Sequence, residues 1–195
     1  MNFLKKHIVT ISLLAVLGFV PLAAQAESDI DTGATPLSAA ARLNLRVVIP
    51  QFLFFRVGTT GATIDRITFS PTGAVVGDSS PVSGSGGDAA GGSGASVRLT
   101  ANGGQVTITE TNDGGGNGLN GTTTDISLTE ISVSSDDSDL DTPTLSDAGG
   151  NTTSPTLNSG SVTNRTAVWT YSYDNTTIPE ADTYDVAITY TASIP

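Results

Sequence analysis

Apolar and polar residues alternate with a period of two along much of this chain, the pattern of strands that bury one face and solvate the other. It begins at residues 42–49, where Leu43, Leu45, Val47 and Ile49 share one parity and Arg42, Asn44 and Arg46 the other. This predicts a half-buried strand. Pro50 interrupts it, because proline has no N–H to give a sheet ladder, and residues 52–57 resume as a denser apolar run. Residues 64–69 predict a further strand, closed by the turn-forming Ser70-Pro71-Thr72-Gly73, and Val75-Val76 a short one.

The clearest local pattern lies in residues 96–111. Val97, Leu99 and Ala101 alternate on one side of Asn102-Gly103-Gly104, and Val106 and Ile108 on the other; residues tolerant of positive φ between two such runs predict a tight hairpin. In residues 125–134 the phase changes midway, from Ile126 and Leu128 to Ile131 and Val133, which a bulge near Thr129-Glu130 would reconcile. Two strong strands close the chain. Ala167, Trp169, Tyr171 and Tyr173 share one parity, and so do Tyr184, Val186, Ile188, Tyr190 and Ala192; residues 174–182 join the two strands as expected neighbours. Between these runs, residues 83–95 and 113–121 are glycine-rich, and the first is expected to be a mobile loop. Residues 136–160 are acidic and turn-rich, with at most a short edge segment near Thr156-Leu157. About seven to ten short strands, with no amphipathic helix and no repeat of 20–50 residues, predict an all-β antiparallel sandwich.

The N-terminus follows another logic. Lys5 and Lys6 precede an apolar run over residues 8–20, and residues 21–26 end in Ala24-Gln25-Ala26. Charged, apolar and small-residue regions in that order predict a Sec signal peptide, a helix cleaved after Ala26; the apolar run is shorter than the ~20 residues a bilayer core requires. With no cysteine in the chain, a lipid anchor on a mature N-terminal cysteine is excluded. The expected organisation is therefore a signal peptide (1–26), a flexible leader (27–41) and one β-sandwich domain (42–195).

Cleavage changes the composition sharply. Both lysines, His7 and Met1 leave with the leader, so residues 27–195 carry six arginines against 19 carboxylates, a formal −13. Such a surface repels nucleic acid and anionic lipid, while divalent cations and neutral glycans remain possible partners. Without cysteine no disulfide can staple the domain, which must rest on its core and its backbone hydrogen bonds.

The same inventory removes most chemistry. Lacking His, Cys and Lys, the processed chain has no Ser-His-Asp or Cys-His arrangement, no Schiff base and no thiol redox couple; zinc, copper and haem sites lose their usual ligands. Paired carboxylates acting on glycosides are the one enzymatic route left open. No cofactor is expected, and the expectation is a non-enzymatic protein. Asp137, Asp139 and Asp141 occupy the first, third and fifth places of a calcium-loop pattern, but Thr142 stands where glycine is wanted and Ala148 where a bidentate Glu belongs. A solvated acidic loop is the better reading than a calcium site. Asn120, Asn151, Asn164 and Asn175 each begin an Asn-X-Thr triplet. Trp169, Tyr171 and Tyr173 would suit a sugar-stacking platform, although three aromatics on one parity of a strand more often pack inward. Arg46 and Arg56 flank an apolar stretch over residues 47–55, which as an exposed edge could accept a strand from another subunit; a buried first strand pair is the favoured reading, since long exposed apolar edges are normally selected against.

The C-terminal residues carry a resemblance. Trp169-Thr170-Tyr171-Ser172-Tyr173, a loop, and Ala181-Asp182-Thr183-Tyr184-Asp185-Val186 resemble the E–F corner of immunoglobulin-like domains, in which a Tyr two places before a core residue bonds back to the corner. The ending over residues 188–195 is similar to the closing strand of bacterial WxL-type cell-wall-binding domains and of some fimbrial or adhesin modules. Neither Trp-x-Leu motif is present, Trp169 being followed by Thr170-Tyr171, and no disulfide can form, so the resemblance implies the sandwich alone. The expectation is an exported structural or cell-surface module, fimbrial- or adhesin-like, that self-associates or meets other surface proteins. The alternative is a soluble glycan- or calcium-binding module. Its place is periplasm, cell surface or medium, with no integral membrane segment after cleavage.

Overall fold

The computed structural model describes residues 28–195; the signal peptide expected over residues 1–26 lies outside the described residues. The chain divides into two compact units, Met1–Val48 and Ile49–Pro195. The described part of the first contains no helix or strand. Asp31 and Asp29 accept hydrogen bonds from the backbone N–H groups of Ser38 (2.8 Å) and Ala40 (3.3 Å). Further on, the apolar side chains are bare: Leu43 is 83% exposed, Leu45 86% and Val47 85%. The half-buried strand expected at residues 42–49 is therefore not formed. Alternation specifies which side chains share a face, and it carries no information on whether the same chain provides something to cover that face.

The second unit is all-β. Strands β1 (Leu53–Val57), β2 (Ile67–Thr68), β3 (Val82–Ser83) and β4 (Ser85–Gly86) lead to the longer β5 (Gly94–Ala101) and β6 (Thr107–Asn112). They are followed by β7 (Leu119–Asn120), β8 (Asp125–Ile126), β9 (Ile131–Ser135) and β10 (Thr152–Thr153), and the chain closes with β11 (Thr163–Tyr173) and β12 (Ile188–Ser193). Every ladder is antiparallel. A five-stranded sheet runs β1-β5-β11-β3, with β9 also paired to β11; a second sheet runs β10-β6-β12, while β2–β4 and β7–β8 form short ribbons.

The two main sheets share one core. Val97, Leu99 and Ala101 of β5 and Ala167, Trp169, Tyr171 and Tyr173 of β11 are buried in it together with Val106 and Ile108. Trp169 of the first sheet meets Tyr190 of the second edge to face, ring centroids 5.0 Å apart, and its indole N–H donates to the Leu140 carbonyl at 3.0 Å. A buried indole needs such an acceptor, since an unpaired N–H in the core costs about 1–3 kcal/mol.

Most strands fall close to where alternation puts them, although Val75-Val76 lies in a turn and the last strand begins only at Ile188; their partners differ. β5 and β6 are not a hairpin: β5 pairs with β1 and β11, β6 with β10 and β12. Residues 102–106 carry the chain from one sheet to the other, so the apolar faces of β5 and β6 oppose each other across the core. Hairpin and crossover present the same alternation, which is why the pattern alone favoured the wrong partner. β11 and β12 likewise lie in opposite sheets and meet through Trp169, Tyr171 and Tyr190. The phase change expected as a bulge near Thr129-Glu130 is made by a helical turn, Leu128–Glu130, capped by the Ser127 hydroxyl. The glycine-rich stretch 83–95 contributes to β3, β4 and β5. Gly87, at φ 79°, lies so close to the Gly94 carbonyl that a Cβ would stand 2.1 Å from its oxygen, so glycine here permits a close backbone approach.

The two flanks of this body differ. After β9 the acidic stretch 136–160, which includes β10, crosses from the first sheet to the second and buries Leu140, Pro143, Leu145 and Pro155. It is a packed cover rather than a solvated loop. Asp136 Oδ1 accepts from Val168 N (2.7 Å), Thr156 N donates to the Asp139 carbonyl (2.8 Å), and Gln105 Nε2 donates to the Pro155 carbonyl (2.7 Å). Among the described residues of Ile49–Pro195, the flank between β1 and β12, which lie near each other at the ends of the two sheets, has no such cover.

Candidate functional site

The three aspartates in the calcium-loop pattern, the lesser of the two readings of this stretch, are each engaged separately. Asp137 Oδ1 accepts from Asp139 N (2.9 Å) and caps the turn Ser138–Leu140, Asp139 Oδ2 pairs with Arg165 Nη1 (2.8 Å), and Asp141 Oδ1 accepts from Thr142 N (2.8 Å). Among the described residues no group of three or more acidic, His or Cys side chains could hold a metal ion. Trp169, Tyr171 and Tyr173 are all buried and present no aromatic face to a sugar. The four Asn-X-Thr asparagines include Asn175, which is fully buried at φ 57°. Its amide donates to the carbonyls of Val75 (2.7 Å) and Ser80 (3.3 Å) and accepts from Gly77 N (2.9 Å), fixing the turn at residues 75–80 to the end of β11.

A shallow cleft of about 330 Å³ is lined by Asp125, Glu130 and Glu180. Two of its carboxylates hold neighbouring loops. Glu130 accepts from Thr176 N (2.9 Å) and from the Thr176 hydroxyl, and Asp125 accepts from Gly121 N (3.2 Å). At the nearby corner the Tyr184 hydroxyl donates to the Glu180 carbonyl (2.8 Å), the back-bond expected of a Tyr in that position. One buried acid escaped the sequence reading. Glu110 is fully buried; its Oε1 accepts from Asn112 Nδ2 (3.1 Å) and its Oε2 has no partner. Its signal was its parity, which continues Val106 and Ile108 inward. Across the same core Tyr171 and Tyr190 bring their hydroxyls to 3.2 Å. Burial pushes both phenols above their ordinary range, and the Tyr171 and Glu110 charges add to the effect on Tyr190.

The bare flank is the feature with most surface to offer. On β12 and its extension Ile188, Tyr190, Ala192 and Ile194 face the core but are only half-buried, while Thr189, Thr191 and Ser193 are exposed on the outer face. On β1, Phe55 and Val57 face the same core half-buried, and Leu53 is 37% exposed. The backbone is open as well. Glu110 N donates to the Asn151 carbonyl and its own carbonyl accepts from Gly150 N, so Glu110 points toward β10. Its partner Tyr190 must then point the other way, because opposed residues of an antiparallel ladder alternate between bonding each other and facing outward. By the same alternation the N–H and C=O groups of Ile188, Tyr190 and Ala192 face the open flank. At the start of β1 the chain is clamped: Asn102 accepts from Phe52 N (2.8 Å) and donates from Nδ2 to the Pro50 carbonyl (2.9 Å), and Gln51 Nε2 donates to the Gly103 carbonyl (3.3 Å).

No family model, curated protein or solved structure matches this chain. Among the described residues no helix is long and apolar enough to cross a membrane.

Proposed function

We propose that this protein is an exported, non-enzymatic β-sandwich of immunoglobulin-like build that serves as a structural subunit of a cell-surface or extracellular assembly. One observation carries the reading: residues 43–49 form an apolar, strand-patterned segment with Leu43, Leu45, Val47, Val48 and Ile49 all at least 73% exposed, in a chain otherwise strongly acidic. A contiguous exposed apolar surface of this kind marks a binding surface in a protein that remains soluble. The chemistry agrees. Residues 27–195 hold no His, Lys or Cys, and in the acid-lined cleft described above the Asp125 and Glu130 carboxylates are engaged in hydrogen bonds to the chain. The Sec-type leader directs the protein to the periplasm, the cell surface or the medium.

Sedimentation velocity on the exported chain, from low to high micromolar, tests this. Oligomers or fibres that grow with concentration support it. A monomer at every concentration, with a melting temperature raised by calcium or by oligosaccharide, overturns it in favour of a soluble binding module.

A further inference from the structure

We infer that residues 43–49 of one chain add as an extra strand to the open edge of β12 in a second copy. This rests on the structural-subunit reading and deepens it by naming both surfaces of the joint.

Four observations converge on that pairing. First, the segment and the flank lack the same thing. Leu43, Leu45, Val47 and Ile49 share one parity and are bare, and Ile188, Tyr190, Ala192 and Ile194 face a core that no strand among the described residues completes. Inserted beside β12, the apolar face of the segment covers the core between β12 and β1. Second, the outer faces match. Asn44 and Arg46 of the segment would continue the exposed polar row of Thr189, Thr191 and Ser193. Third, the outward N–H and C=O groups of Ile188, Tyr190 and Ala192 supply a ladder for the incoming backbone, the usual source of affinity in strand addition. Fourth, the charges are complementary. Residues 42–49 carry two arginines and no acid, whereas residues 49–195 carry four arginines against sixteen carboxylates, a formal −12. Opposite charge on the two surfaces favours their encounter.

The occupant is a second copy because of the clamp at the start of β1. A turn back onto the same chain would have to be made within Pro50 and Gln51, and there the Pro50 carbonyl and the Gln51 side chain are already held by Asn102 and Gly103. Proline's fixed φ narrows that turn further.

The absence of cysteine makes the joint easy to trap. Arg46→Cys and Thr191→Cys chains, purified separately and mixed under mild oxidation, are expected to give a mixed disulfide dimer. Cross-strand neighbours on one face bring Cβ atoms within bonding reach, so its yield should exceed about tenfold that of Arg46→Cys mixed with Thr152→Cys on the edge strand of the covered flank. Thr189→Cys and Ser193→Cys read the register. Leu45→Asp is expected to weaken association about 100-fold, since it puts a charge where a leucine would be buried, with the melting temperature of the monomer unchanged. Oligomers that cross-link equally to Thr152→Cys, or not at all to β12, overturn the joint and leave self-assembly standing. An intramolecular disulfide in the Arg46→Cys/Thr191→Cys double variant overturns it in favour of self-closure. The absence of any oligomer overturns both the joint and the structural-subunit reading.

Discussion

On the flank between β9 and β10 the chain supplies its own cover; on the flank between β1 and β12 the described residues of Ile49–Pro195 supply none. The first is sealed by residues 136–160, in which Leu140, Pro143, Leu145 and Pro155 are buried and the polar groups around them bond to β11 and its neighbours. The second leaves Leu53, Phe55, Ile188 and Tyr190 partly open to water beside unpaired backbone. Both flanks present the same problem, an edge with an apolar layer behind it, and edges of that kind invite pairing unless they are blocked. The difference teaches that composition is a poor guide to cover: the acidic stretch is the lid, and the apolar stretch at residues 43–49 is the exposed surface.

That contrast can be broken by substitution. Trp169→Ala should be the most damaging change, at about 3–5 kcal/mol, because it empties the centre of the core and removes one of the two donors, the indole N–H beside the Ser135 hydroxyl, that hold the Leu140 carbonyl of the cover; urea unfolding measures it. Leu140→Ala should cost about 2–4 kcal/mol in the same assay, and Leu53→Ala on the bare flank under about 1 kcal/mol, since the first side chain is fully buried and the second is not. Equal losses at the two positions would erase the distinction between the flanks.

The core beside the bare flank should also respond to alkali. Tyr171 and Tyr190 have phenols raised by burial, so in the folded chain they keep their protons at pH values where the unfolded chain has lost them. Stability is then fully present below about pH 10 and falls as pH climbs beyond it, by up to about 1.4 kcal/mol per pH unit for each phenol. Melting temperatures recorded from pH 8 to 11 should show this decline, and Tyr190→Phe should make it shallower. The smallest effect belongs to the rim of the cover. Asp139→Asn removes the ion pair with Arg165 and should cost less than about 1 kcal/mol, because Asp139 is partly solvated.

How far the fold is legible in the sequence depends on what each residue reports. Alternation locates β5, β6, β11 and β12 well, and the inward parity of Trp169, Tyr171 and Tyr173 is enough to place them in the core. It does not report sheet partners, so Asn102-Gly103-Gly104 reads as a hairpin turn although Asn102 holds Pro50 and Phe52 while the chain crosses between sheets. Nor does it report isolated buried residues. Leu140 and Leu145 each stand among Asp, Ser and Thr, with no periodicity to mark them, and the cover they form is invisible until the chain is folded. Residues 42–49 are legible as a strand pattern. What no pattern in one chain expresses is that the complementary surface is missing from the described fold.

The crossover between β5 and β6 has one last consequence, for the order of events in time. With no long hairpin, each extended ladder of the main sheets joins residues far apart in the chain: Leu99 to Arg165, Thr109 to Thr191, Ser135 to Trp169. Closing loops of that size comes before any reward, so folding of such topologies is slow, in the millisecond-to-second range. The central partner of the first sheet is β11 and an edge of the second is β12, so neither sheet can be completed until residues 163–193 take part. A polypeptide built this way gains its shape only once β11 and β12 have both found their partners.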